Sequence, residues 1–232
     1  MADKVVVSIF INKAQFGPDE DFDQYPRSLD ADLDQLKALG VDVVFTPSFS
    51  DFYPNPNRST KIHVPDLSSR YCGQSRPVFF DGITSVVLRL FHCVSPTIAI
   101  FGEKDYQQYV IIQKMTTDLL LPIEIVSSPI IREENGLALS SRNAYLSESE
   151  KDEAASIYKS LTHLQSMFQQ GEIRSQSLIE TFKTGLSSLI KLDYIHVVDS
   201  HTLDEKEMAQ SGDRVLVAGG LGETRLIDNI SL

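Results

Sequence analysis

The sequence is poor in cysteine and has no long apolar run, and both absences narrow the classes of protein that it can represent. Its two cysteines, Cys72 and Cys93, have neither the spacing of a metal-binding pair nor the number needed for a disulfide framework. We therefore expect a reducing, cytoplasmic setting. No stretch reaches the apolar length of a membrane span, and the short run over residues 5–11 lacks the flanks of a signal peptide. No membrane association is expected.

Positive charge is also scarce, with 21 Lys and Arg against 32 Asp and Glu, for a formal net charge of -11. Non-specific nucleic-acid binding depends on Lys and Arg neutralising phosphates, so this composition argues against it. A local group of cations can still hold one phosphate chain. The five histidines lack the spacing of metal ligands, and we expect no metal site formed by the protein alone.

The order of apolar segments indicates an α/β fold. Residues 5–11 are typical of a strand buried on both faces, and residues 41–46 form a second such segment. Between them, Ser28 can cap a helix that ends at Gly40. A strand, a helix and a strand in so short a space predict a βαβ unit with a parallel sheet.

The later segments predict a continued α/β layer and then a second domain. The predicted elements are a loop over 47–65, helices over 82–94 and 105–119, and strands over 97–101 and 123–126. Beyond Arg132 the pattern changes to helices over 147–170 and 175–190 and strands over 194–198, 214–218 and 224–227. We therefore predict a doubly wound parallel α/β domain over residues 1–131 and a smaller α+β domain over residues 132–232.

Polar clusters follow two of the strands, where ligands bind in open α/β sheets. Asn12 and Gln15 come after the first strand and can offer amide groups to a small polar substrate; the alternative is a turn that caps the strand. The second cluster starts at Gly102, which permits close backbone approach, and continues with Lys104 before a helix N-terminus that favours anions. The alternative, a capping pair of Asp105 and Gln108, leaves the Gly-Glu-Lys run unexplained.

A third polar cluster, Ser140, Ser141 and Arg142, lies just beyond Gly136. Two hydroxyls and a guanidinium can grip phosphate oxygens, although the serines can instead bond to their local backbone. A further acidic group is expected to be a solvated face rather than a metal site; its members are Asp19, Glu20, Asp21, Asp23, Asp30, Asp32 and Asp34.

Taken in order, these segments resemble the pantothenate synthetase family over nearly the whole chain, from residue 5 to residue 229. The matching segments are residues 6–12, Gln15-Phe16, 25–27, 75–77, 101–108, 136–143 and 225–229. The Gly-Glu-Lys-Asp-Tyr-Gln-Gln and Leu-Ser-Ser-Arg-Asn runs are highly specific to that family. Residues 76–80, Arg-Pro-Val-Phe-Phe, resemble its plant-type version.

The resemblance implies a Rossmann-like nucleotidyltransferase-type sheet and ATP-dependent ligation of pantoate and β-alanine to pantothenate through a pantoyl adenylate. It also implies Mg²⁺ arriving with ATP, no tightly bound cofactor, and a homodimer. Gln15 and Gln108 would hold pantoate, with Gln15 near β-alanine. The nucleotide would meet Ile131 through its backbone, together with Gly102, Glu103, Lys104, Asp105, Leu139, Ser140, Ser141 and Arg142. Lys104 and Arg142 would be the catalytic residues, acting on the phosphates by positioning and charge.

Two departures from the family pattern carry expectations of their own. A His-x-Gly-His stretch precedes the first strand in the family, and residues 1–232 do not contain it. The sheet would then lack its first strand–helix unit, with either a gap or a forced pairing between residues 5–11 and 97–101, low stability and little ligase activity. Lys13 stands where members commonly carry Pro.

Two other functions remain open at this point. One is a non-catalytic homologue that serves as a binding or dimerisation module. The other is a different adenylyl-transferring enzyme on the same fold, which Gln15 and Gln108 disfavour because their family counterparts read the acyl substrate.

Overall fold

The structure, a computed structural model, describes residues 2–18 and 20–232. Residue contacts divide the chain into two compact units. Unit 1 is Met1–Phe101 with Ile111–Val126, and unit 2 is Gly102–Val110 with Ser127–Leu232. Within the described ranges, no helix has both the length and the apolarity to cross a membrane.

The described residues form seven strands and eight α-helices. The strands are β1 Val6–Ser8, β2 Val43–Phe45, β3 Ile98–Gly102, β4 Glu124–Ser128, β5 Ile190–Val198, β6 Arg214–Leu221 and β7 Thr224–Ser231. The helices are α1 Leu29–Ala38, α2 Phe49–Phe52, α3 Cys72–Ser75, α4 Phe79–Val94, α5 Tyr106–Asp118, α6 Glu148–Ala154, α7 Ser156–Gln169 and α8 Ser175–Gly185.

Unit 1 contains the predicted βαβ start. β1 and β2 pair in parallel, with Val6 opposite Val43, and α1 connects them. The expectation that both strands are buried on both faces is wrong, because Val6 and Val43 are 38% and 50% exposed. Gly40 follows α1 at a positive φ of 74°, which a residue without Cβ adopts freely. Ser28 stands at the N-cap of α1, but its hydroxyl donates to the Asp32 carboxylate, so the expected side-chain cap is not formed.

The parallel pair β1–β2 and the pair β3–β4 are separate two-stranded sheets. Among residues 2–18 and 20–232, no ladder joins β1 to β3, so the forced pairing that the sequence allowed is not formed. The buried face of α4 supplies much of the apolar interior of unit 1, through Phe80, Ile83 and Phe91.

Unit 2 is built on an antiparallel sheet of order β5-β6-β7, covered by α7 and α8. Its core is apolar and fully enclosed; Leu161, Leu164, Leu178, Phe182 and Val215 all have 0% exposure. The fold class is therefore confirmed as α/β with parallel pairing and a smaller C-terminal part built on an antiparallel sheet.

Some predicted boundaries differ from the structure. The helix expected over 147–170 is two helices, α6 and α7, which meet at the fully buried Ala155. The loop expected over 47–65 contains the one-turn helix α2, which is stabilised by a capping box between Ser48 and Asp51. That capping pair is local and needs no apolar periodicity. The apolar pattern of the sequence therefore does not indicate this helix.

Candidate active site

The Gly-Glu-Lys-Asp run forms a turn between β3 and α5. Glu103–Asp105 is a single 3₁₀ turn that leads directly into the helix. Gly102 has an ordinary extended backbone (φ -70°), and a Cβ added there would meet no described atom within 4 Å. Gly102 is therefore exposed, with open space on the side where a side chain would stand.

The turn is held from the C-terminal sheet by Asn229. The Nδ2 group of this β7 side chain donates to the carbonyl oxygens of Glu103 at 2.8 Å and Lys104 at 3.1 Å. Arg214 of β6 donates to Asn229 Oδ1 at 3.2 Å and lies 3.4 Å from Glu103 Oε2, while Ser127 donates to Glu103 Oε1 at 2.9 Å. Both carboxylate oxygens of Glu103 thus have partners within unit 2.

Lys104 lines a small cavity of unit 2 whose wall is partly polar and partly apolar. The polar lining residues besides Lys104 are Ser140, Asn143, Arg225 and Asp228. The cavity volume is about 10 Å³, which is room for roughly one water molecule. Asn143 Oδ1 is buried without a hydrogen-bond partner in the described structure. The structure therefore brings Lys104 and Ser140, two of the predicted nucleotide contacts, to one site.

The predicted phosphate loop follows a short hairpin. Arg132 and Ala138 form an antiparallel bridge, and the Leu139 N–H donates to the Ile131 carbonyl at 2.8 Å. Gly136 turns the hairpin at a positive φ of 97°, where an added Cβ would lie 2.7 Å from the Tyr158 ring. Ile131 and Leu139 are 65% and 55% exposed, so both predicted contacts present themselves to solvent.

Beyond the hairpin, residues Ser141–Tyr145 form a 3₁₀ helix. Ser140 Oγ accepts from the Arg142 N–H at 3.3 Å, so the local backbone bonding that was the alternative for this serine is present. Asn143 ties the segment to the hairpin by donating to Glu133 Oε1 at 2.5 Å and to the Ala138 carbonyl at 3.2 Å. Ser141 is exposed and Arg142 is half-buried.

The first turns of α5 carry Gln108, which is half-buried. In the part of the chain that the structure describes, Asp105 and Gln108 do not form the capping pair that was the alternative explanation for this motif. Tyr106 donates its hydroxyl to the Ser200 carbonyl at 3.1 Å. Burial raises the pKa of the neighbouring Tyr109 hydroxyl, with hydrogen bonding to Ser127 opposing the shift.

In unit 1, Asn12 is buried and hydrogen-bonded within the protein. It is 3% exposed, donates to the Gly82 carbonyl at 3.0 Å and accepts from the Tyr53 hydroxyl at 3.0 Å. Its amide also donates to Gln15 Oε1 at 3.2 Å. This bond occupies Gln15 Oε1, and Nε2 is the donor end of the same amide.

The acidic segment that precedes α1 is not wholly a solvated face, which corrects the expectation for Glu20. Arg76 donates from Nε to Glu20 Oε1 at 2.6 Å, and its guanidinium stacks 3.5 Å from the centre of the Phe79 ring. Asp19 lies outside the described residues. Among the others, no group of three or more His, Cys, Asp and Glu is arranged to hold a metal ion.

Arg132, Asn229 and Arg214 were missed by reasoning from local sequence. Asn229 does lie in the segment 225–229 that carried the family resemblance, and that was the available signal. Gln15 belongs to unit 1, whereas residues 102–108, Ile131 and residues 139–142 belong to unit 2.

Comparison with known proteins gives a consistent result. A family model described as "Pantoate-beta-alanine ligase" matches residues 1–231. Pantothenate synthetase of Aquifex aeolicus (strain VF5) is 46% identical over 98% of this chain and 81% of the relative. That of Clostridium botulinum (strain Loch Maree / Type A3) is 46% identical over 99% and 82%.

Solved structures agree. Pantothenate synthetase from Thermus thermophilus superposes with a TM-score of 0.95 at 39% identity, over 98% of this chain and 83% of that one. Pantoate-beta-alanine ligase from Francisella tularensis, complexed with beta-gamma ATP and beta-alanine, has a TM-score of 0.78 at 32% identity, over 99% and 79%.

Fold and relatives together define the class of protein, an enzyme of α/β fold that acts as a ligase. The chain belongs to the pantoate–β-alanine ligase family. The relatives reported above are bacterial, and they do not support the expected plant-type affiliation. They add no support to the expected lack of the family's histidine-bearing unit beyond the sequence itself, in which residues 1–232 contain no His-x-Gly-His stretch. The matches cover 98–99% of this chain and 81–82% of the two curated relatives.

Proposed function

We propose that this chain joins pantoate to β-alanine in a reaction driven by ATP. The observation that carries the proposal is the family match over residues 1–231, together with a turn at Gly102–Asp105 that presents Lys104 beside Ser140. No comparison favours the alternative of a non-catalytic binding or dimerisation module.

The reaction takes place in two steps. A carboxylate oxygen of pantoate bonds to the α-phosphorus of ATP as the bond to pyrophosphate breaks, which gives pantoyl adenylate. The β-alanine nitrogen then bonds to the acyl carbon, AMP leaves with the former ester oxygen, and the amine loses a proton. In both steps a substrate group is the nucleophile, so no protein nucleophile is required. The protein contributes positioned hydrogen-bond donors and cations that stabilise the developing negative charge.

Lys104 and Arg142 are the proposed catalytic residues because each can place a cation at the phosphate chain. The proposed nucleotide contacts are Gly102, Glu103, Asp105, the N–H of Ile131, Leu139, Ser140 and Ser141. Gln15 and Gln108 are the proposed pantoate contacts, and Gln15 Nε2 is supported in that role by the bond that occupies its Oε1.

Magnesium would arrive with ATP, since the ion is usually held by one or two carboxylates plus substrate phosphates. Of the two carboxylates in the turn, Glu103 is held by Arg214 and Ser127. Asp105 has no side-chain partner in residues 2–18 and 20–232, and it is the carboxylate that we propose for the ion. We propose no tightly bound cofactor.

We also propose a cytoplasmic homodimer and the domain division 1–131 and 132–232. The free cysteines, Cys72 buried and Cys93 exposed, support a reducing setting. The family resemblance supports the dimer, and sedimentation equilibrium of the purified chain tests it.

The function is tested by pantoate-dependent exchange of labelled pyrophosphate into ATP, followed by detection of pantothenate after β-alanine is added. We expect exchange without β-alanine and product only with all three substrates. Exchange that does not depend on pantoate would refute the assignment.

A further inference from the structure

Asn229 is a buried side-chain amide, and its Nδ2 group donates two hydrogen bonds to the Gly-Glu-Lys turn. It is 2% exposed and lies in β7. In the sequence it follows its two bonding partners, Glu103 and Lys104, by 126 and 125 residues. Its two amide hydrogens go to the Glu103 and Lys104 carbonyls, and its oxygen accepts from Arg214. A β7 side chain thus fixes the two consecutive peptide groups that flank the Cα atom of Lys104.

The Glu103 side chain is fixed as well. Ser127 bonds one carboxylate oxygen, Arg214 lies 3.4 Å from the other, and the Arg214 guanidinium stacks 4.0 Å from the centre of the Tyr106 ring. The residue before Lys104 is therefore held through both its backbone and its side chain.

The Lys104 side chain, by contrast, is left uncommitted. It has no ion pair or hydrogen bond within the described ranges, and it lines the small cavity that Ser140 and Asn143 also line. The held backbone fixes the point from which the Lys104 side chain extends, and its ammonium group stays available to pair with an anionic ligand.

We infer that Asn229 is a positioning residue for ligation: it holds the Glu103–Lys104 peptide so that the Lys104 ammonium meets the phosphate chain of ATP. The inference rests on the proposed function for its kinetic part only. Because a displacement of about 1 Å can cost roughly 100-fold in rate, loss of the two bonds is expected to lower kcat for pyrophosphate exchange by roughly 10- to 100-fold.

The test compares Asn229→Asp with the parent chain and with Gln165→Ala. Aspartate has nearly the shape of asparagine but has no N–H to donate to the two carbonyls. Gln165 is the matched control, because its amide also donates to a β7 carbonyl, that of Ser231 at 2.8 Å, outside the proposed site. We expect a kcat loss for Asn229→Asp, an unchanged KM for pantoate, and parental kinetics for Gln165→Ala.

A double-mutant cycle separates positioning from a general loss of structure. If Asn229 acts through Lys104, then Asn229→Asp added to Lys104→Ala causes less than a 3-fold further loss, although it causes 10-fold or more alone (rough thresholds). Additive losses would overturn the inference while leaving the proposed function intact. Inactivity of the parent chain itself would instead count against the proposed function.

Hydrogen exchange supplies a readout that does not need activity. Peptides that cover residues 102–108 should exchange faster in Asn229→Asp, and in the milder Ser127→Ala, than in the parent or in Gln165→Ala. Ser127→Ala removes one of the two side-chain contacts of Glu103 without altering a buried strand residue. It therefore supplies a second measurement on the same turn if the Asn229 variant folds poorly. Unchanged exchange over residues 102–108 in the folded variants would contradict the inference.

Discussion

The Arg132 guanidinium holds the Asp228 carboxylate by two parallel hydrogen bonds of 2.7 and 2.9 Å. The pair is well buried, with side-chain exposures of 16% and 4%. Arg132 also donates to the Gly136 carbonyl at 3.0 Å and stacks 3.6 Å from the centre of the Tyr158 ring. One side chain therefore ties the hairpin that precedes residues 139–142 to β7, the strand that also carries Asn229.

Removing Arg132 should destabilise unit 2 strongly. Arg132→Met leaves a buried carboxylate without its partner, and we expect a loss of about 3–5 kcal/mol in the free energy of unfolding by urea. Adding Asp228→Asn should restore part of that loss because the buried charge is gone. The control is Lys114→Met, which breaks the exposed pair with Asp118 and should cost at most about 1 kcal/mol. Equal losses at the two sites would contradict this account.

Lys104→Ala and Arg142→Ala should each lower ATP use far more than they lower stability. Removal of one preorganised donor to developing charge typically costs roughly 100- to 1000-fold in kcat. Pyrophosphate exchange measures the rate, and thermal unfolding measures stability. Lys159→Ala, an exposed lysine of the same unit, is the control and should behave like the parent. Parental turnover in both site variants would remove them from the proposed catalytic set.

Gln108→Ala should raise the KM for pantoate and leave nucleotide binding nearly unchanged. The reason is that its side-chain amide is proposed to hydrogen-bond pantoate and not the phosphates of ATP. Titration with each substrate in turn distinguishes the two, with Gln176→Ala, a side chain that bonds Glu180 in α8, as the control. A variant that loses ATP binding and keeps pantoate binding would show that the roles are exchanged.

Substitution by alanine should destabilise the protein at Gly82 but should leave its stability almost unchanged at Gly102. At Gly82 an added Cβ would lie 2.6 Å from the Ala14 carbonyl oxygen and 2.7 Å from Gln15 Cα, both rigid backbone atoms. Gly82→Ala should therefore cost roughly 1–3 kcal/mol despite the better helix propensity of alanine. Gly102→Ala meets no described atom, so it should change stability by less than about 0.5 kcal/mol and weaken ATP use. Denaturation curves and ATP titrations of the two variants decide this.

The stability contributed by Asp199 should disappear in acid. Its carboxylate accepts the backbone N–H groups of Thr202 and His201, both at 2.9 Å, and these bonds lower its pKa from 3.8 to about 2. Because the pKa is lower in the folded state, the carboxylate stabilises the folded state at every pH above the pKa of the unfolded state. This stabilisation is lost as the pH falls from about 4 towards 2. Asp199→Asn should thus destabilise at about pH 6 and much less at about pH 2.5. A loss of equal size at both pH values would contradict the sign of this linkage.

The regular elements were predictable from sequence because their signals are local. The apolar runs and the Gly40 stop gave β1, α1 and β2, with ends displaced by one to a few residues. The split at Ala155 was not predictable, since the apolar spacing continues through it. The turn at Gly102–Asp105 and the loop at residues 139–142 were also recognisable, because their polar runs follow a strand and a glycine turn.

By itself, the sequence determined the α/β class, the family, and the short polar segments that are proposed to meet the substrates. Each of these depends on the order and spacing of residues close together in the chain. Only the tertiary structure decided that Asn12 is internal, that Glu20 pairs with Arg76, and that Asn229 holds the turn before Lys104. These partners are far apart in sequence, so their meeting depends on how strands and helices pack and cannot be read from any local pattern.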